Sequence, residues 1–129
     1  MRNVVIATLR ASGALEDVRQ FAESLVAVDG KMEQRRDTLA KSGLPEAWWY
    51  TEVALRDQAE VAGVLDLLFA QLAANAISIG AQAKASSLLM EIDCTVKGDC
   101  RLLLEVSAER IATIAELGAS LSFDLYPGE

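Results

Sequence analysis

Apolar and polar positions alternate from the start of the chain. Val5, Ala7, Leu9 and Ala11 share one face of residues 4–11, and Ser12-Gly13 ends the run, which predicts a first strand. Leu15, Val18, Phe21, Ala22 and Leu25 then recur at helical spacing, predicting a helix that stops before Asp29-Gly30. The polar, basic residues 31–37 read as either an edge strand or a loop. Beyond the break at Ser42-Gly43-Leu44-Pro45, Trp49, Thr51, Val53 and Leu55 face one way while Trp48, Tyr50 and Glu52 face the other, a third strand. Residues 58–85 are Ala-rich, with Val61, Val64, Leu65, Leu68 and Leu72 on one helical stripe; their length predicts two helices broken near 75–80.

The cleanest alternation follows. Leu88, Met90, Ile92, Cys94 and Val96 share one face and Glu91, Asp93, Thr95 and Lys97 the other. Leu102, Leu104 and Val106 repeat the apolar face opposite Arg101 and Glu105. A three-residue turn, Lys97-Gly98-Asp99, keeps both apolar sets together and places Cys94 opposite Leu102. Ser107 then caps a helix carrying Ile111, Ile114, Ala115 and Leu117, and Gly118 closes it. In the last strand Leu121, Phe123 and Leu125 form the core face, with Ser120, Ser122, Asp124 and Tyr126 outside. The predicted class is α+β, in the order β-α-β-β-α-α-β-β-α-β. It is one domain over 1–129, a single mostly antiparallel sheet with helices packed on one face and the other face wet.

At 129 residues the chain suits one domain, and a domain of this size buries roughly two-thirds of its unfolded surface, enough to fold without metal or disulfide. The chain has no histidine, which excludes Ser-His-Asp and Cys-His catalysis and imidazole zinc sites. A net charge of −7 argues against a general nucleic-acid binder. That charge is uneven: residues 1–56 carry eight bases and eight acids, whereas 57–129 carry four bases against eleven acids. Asymmetry of this kind steers a cationic partner or simply confers solubility. No signal peptide is expected at the N-terminus. The most membrane-like window, 61–79, is interrupted by Asp66, Gln71, Asn75 and Ser78, and Asp66 alone would cost about 3 kcal/mol at a bilayer centre. The expectation is a cytoplasmic protein with no membrane span.

The two ends carry a resemblance. Ala7-Thr8-Leu9-Arg10-Ala11-Ser12-Gly13 resembles the A-T-L-R-x-S-G opening of a family of short bacterial proteins, the domain of unknown function 4279 family. Ser107-Ala108-Glu109-Arg110-Ile111 through Leu117-Gly118 to Phe123-Asp124-Leu125-Tyr126 resembles that family's final helix and strand. The resemblance implies a stand-alone bacterial domain with no catalytic motif to carry over. By analogy with other small families of this type, it also suggests an immunity or toxin-associated role.

If the strands form, Glu52, Glu91, Asp93, Glu105 and Asp124 project from the same side as Trp48 and Tyr50. Carboxylates around aromatics suit a basic protein partner, with the rings as anchors and the acids for steering; a solvated sheet face is the plainer account. Glu91 and Asp93, two apart on a strand, would also suit general acid/base work or a hard cation, but nothing else supports chemistry. Cys94 and Cys100 are expected as free thiols and make no zinc site. Lys31, Arg35 and Arg36 are interleaved with Glu33 and Asp37, which favours a self-paired, solvated segment. The glycines are too dispersed for a nucleotide loop, and no cofactor motif is present. The leading expectation is a non-enzymatic binding domain, most concretely an immunity protein neutralising a basic toxin. The alternatives are a homodimer through the helices at 58–85, where Leu67, Phe69, Ile77 and Ile79 lie off the main stripe, or a small-ligand or metal-binding domain.

Overall fold

A computed structural model of the chain describes residues 3–39, 45–57, 60–98 and 104–127. Strand β1 (Val4–Ala14) runs into helix α1 (Leu15–Ser24), followed by β2 (Lys31–Leu39) and β3 (Pro45–Arg56). Helix α2 (Val61–Leu72), a short 3-10 turn (Ala73–Asn75) and α3 (Ala76–Ser86) lead to β4 (Leu89–Gly98), then α4 (Ala108–Glu116) and β5 (Ala119–Pro127). The five strands form one sheet in the order β2-β3-β1-β4-β5. The protein is α+β as expected. Its sheet is mixed, because β4 and β5 run parallel while the other three pairings are antiparallel. A helix stands between β4 and β5, and a strand followed by a helical crossover returns parallel to its start.

Alternation selects the buried face. Val5, Ala7, Leu9 and Ala11 of β1 and Ile92, Cys94 and Val96 of β4 are fully buried, with Met90 nearly so. The α2 stripe Val61, Val64, Leu65, Leu68 and Leu72 lies against them. Phe21 of α1 meets Trp49 of β3 edge to face, with ring centroids 5.3 Å apart, a geometry that suits the ring quadrupoles. The α2–α3 stretch is long and apolar enough to cross a membrane by length and composition. Here it is two helices separated by the 3-10 turn at 73–75, with the α2 stripe committed to the sheet. Buried Asn75 anchors the end of this turn to Val26: its Nδ2 donates to the Val26 carbonyl at 2.8 Å, and its Oδ1 accepts from the Val26 N–H at 2.9 Å. The residues after α1 are thereby tied to the helical layer.

The strand expected at 101–106 is overturned where it is described. Residues 104–107 are irregular, and 101–103 lie outside the described residues. The reason is topological. Over residues 89–97 β4 pairs with β1 on one side and over 90–98 with β5 on the other, so neither edge remains for a hairpin partner. The placement of Cys94 opposite Leu102 falls with it: Cys94 sits between Ala7 and Phe123. Leu104 and Val106 still pack half-buried against the core. In α4 only Ile114 is buried, followed by Leu117 at its end; Ile111 is 55% exposed. Ser107 caps the helix, accepting from the Arg110 N–H at 3.3 Å, and Gly118 ends it at φ +70°, where a side chain would be strained. Arg110 joins α4 to α2 by a two-pronged ion pair, Nε to Asp66 Oδ1 at 2.9 Å and Nη2 to Oδ2 at 2.7 Å.

Candidate functional site

All four helices cover the face of the sheet that holds the buried rows, and among the described residues no element covers the opposite, open face. Register sets its composition. One row runs Lys31, Tyr50, Arg10, Glu91, Ser120; the next runs Glu52, Thr8, Asp93, Ser122; Ala54, Ile6, Thr95 and Asp124 follow. Trp48 stands between Glu33 and Ser12. Six of the seven residues expected together, Trp48, Tyr50, Glu52, Glu91, Asp93 and Asp124, do share this face.

Glu105 does not. It lies in the irregular segment before α4, where it lines a cleft with Glu60, Ala62, Ser107 and Arg110 among the helices. Its expected place came from the 101–106 strand and is lost with that strand.

The face is less acidic than expected, because β1 and β3 contribute Arg10 and Arg56, β2 contributes Lys31, and β4 contributes Lys97. Arg10 is the residue that sequence reasoning passed over, although its position between Leu9 and Ala11 already turned it outward. Its Nη2 donates to Glu91 Oε1 at 3.1 Å, and its guanidinium carbon lies 5.2 Å from the centre of the Trp48 ring. Cation–π stacking and an ion pair thus hold Arg10, Trp48 and Glu91 as one unit in the middle of the face. Trp48, Tyr50, Glu91 and Asp93 are half-buried, while Glu52 and Asp124 are exposed.

Towards β5 the chemistry changes. Asp93 accepts from the Ser122 hydroxyl at 2.9 Å and from Thr95 at 3.3 Å. Asp124 shares a hydrogen bond with the Asp93 carboxyl and feels its charge, and both push its carboxyl above the usual range. Among the described residues no lysine or arginine pairs with either of them. The acidic excess of the second half of the chain is therefore expressed on this face as a two-carboxylate patch along β4 and β5. Among the described residues no three metal-ligating side chains come together.

On the covered side, burial and the neighbouring Asp93 push the Cys94 thiol up to about 12, which makes it unreactive at neutral pH. Cys100 lies outside the described residues. The expected helical dimer surface is reduced: Ile79 is fully buried and Phe69 half-buried, leaving Leu67 42% and Ile77 91% exposed. Comparison with family models, with curated proteins and with solved structures finds no match.

Proposed function

We propose that the protein is a non-enzymatic, cytoplasmic binding domain that engages a basic protein through the open face of its sheet. The observation that carries this reading is the Asp93–Asp124 pair: two carboxylates, one raised by the other, and among the described residues no lysine or arginine ion-paired with either. A partner's lysine or arginine would relieve that repulsion, and charge complementarity of this kind supplies orientation and fast association. Trp48 and Tyr50 offer half-buried rings for anchoring a few residues away. The narrower form of this reading is an immunity protein directed at a basic toxin, by analogy with other small bacterial families.

Capture from native lysate by the tagged protein tests the reading, with wild type compared to a variant carrying Asp93→Lys and Asp124→Lys. A stoichiometric basic protein held by wild type and lost both by the variant and at high salt is the expected result. Equal capture by the two would remove this face from the interaction.

A further inference from the structure

The two edges of the sheet are built differently. Edge strands expose unpaired backbone groups, and proteins that must stay monomeric guard them with charge, proline or irregular pairing. The β2 edge is guarded: its sequence carries Lys31, Glu33, Arg35, Arg36 and Asp37, and its register shifts between Arg35 and Leu39. The β5 edge is not. Pairing with β4 runs unbroken from Ala119 to Pro127, proline comes only at the end, and Asp124 is the strand's single charge. Among the described residues no strand lies beyond it. Its covered-side row is also left incomplete, with Leu121 and Phe123 half-exposed and Leu125 44% exposed.

We infer that β5 pairs with β5 of a second copy, antiparallel about a two-fold axis at Phe123, to make one continuous sheet across the dimer. The register follows from length, because Phe123 is the midpoint of 119–127 and full overlap centres there. The strand is complementary to itself in that register. Phe123 meets Phe123, Leu121 meets Leu125, and Ala119 meets Pro127, so the covered side receives only apolar pairs. On the open side Ser120 meets Tyr126 and Asp124 meets Ser122, so no two carboxylates stand directly opposite each other. A register centred on Asp124 would set two carboxylates directly opposite each other, which is unfavourable. Closed two-fold symmetry uses up both free edges at once.

This inference needs no basic partner, so it stands or falls separately from the proposed function. Light scattering on the purified full-length chain should give a dimer. Leu125→Lys, placed where the side chain is already exposed, should weaken that dimer about tenfold or more by setting a charge among the apolar pairs. A variant carrying Ser122→Cys and Asp124→Cys should form a disulfide-linked dimer under mild oxidation where wild type does not, since directly opposed strand residues bring their Cβ atoms near bonding range. A monomer at every concentration overturns the inference. So does a dimer that ignores Leu125→Lys and fails to cross-link through 122 and 124.

Discussion

Two surface aspartates are shifted in opposite directions, and each makes a checkable statement about pH. Hydrogen bonds from Arg110 hold the Asp66 carboxyl below its ordinary value, outweighing a small desolvation effect. Its contribution to stability is full above the ordinary carboxylate range and is lost as pH falls through its lowered pKa. Asp124 is raised by Asp93, so the folded state binds its proton more readily, and the unfavourable contribution grows as pH rises through the raised pKa. Asp66→Asn is therefore expected to lower the melting temperature at neutral pH and Asp124→Asn to raise it. Both should converge on wild type in acid. Melting curves over a pH series check this, and a change of the same sign in the two variants would contradict the assignment. At a buried position, Asn75→Ala removes both hydrogen bonds to Val26 and is expected to cost about 1–3 kcal/mol in urea unfolding. A cost near zero would mean that water replaces the amide.

At the scale of elements, α3 comes close to the end of α4. A Cβ at Gly80 would collide with the backbone carbonyl oxygen of Glu116, which no side-chain rotation relieves. Gly80→Ala is expected to push the helices apart and destabilise by about 1–3 kcal/mol, whereas helix propensity alone would make it stabilising. Chemical denaturation therefore reads the sign directly. That contact was invisible in the sequence, where Gly80 stood only as a place for the helix to break. Periodicity worked where one face is buried and the other wet: the rows of β1 and β4 and the α2 stripe were all legible, and with them six of the seven face residues. It failed at 104–106 because an irregular segment with Leu104 and Val106 packed against the core shows the same period of two as a strand. The sequence did contain a warning in the predicted helix before β5, since a strand–helix–strand run points to a parallel crossover and an occupied β4 edge. Arg10 was equally legible from the alternation of β1. Its partners were not, because only the register of three strands brings Trp48 and Glu91 to it.

At the scale of the whole molecule, the uneven charge of the chain becomes geography. Strands from the neutral half supply Arg10, Arg56 and Lys31 to one side of the open face, while β4 and β5 gather Asp93 and Asp124 on the other, with Lys97 further along β4. A dimer joined at β5 would bring two such carboxylate patches to its centre. Asp124 and its copy would lie on a diagonal, roughly 7–8 Å apart. Their repulsion survives at 0.1 M salt, where the screening length is about 10 Å, and is largely removed at 1 M, where it is about 3 Å. Self-association should therefore tighten as salt rises, since the apolar pairs of the covered side are left and the repulsion is taken away. Binding of a basic partner to the same carboxylates should do the reverse. Sedimentation equilibrium of the purified chain across a salt series separates the two terms, because only the first is then present. A dimer that loosens with salt would show attraction between unlike charges at the interface, which the β5 edge does not offer, and would move the contact to another surface.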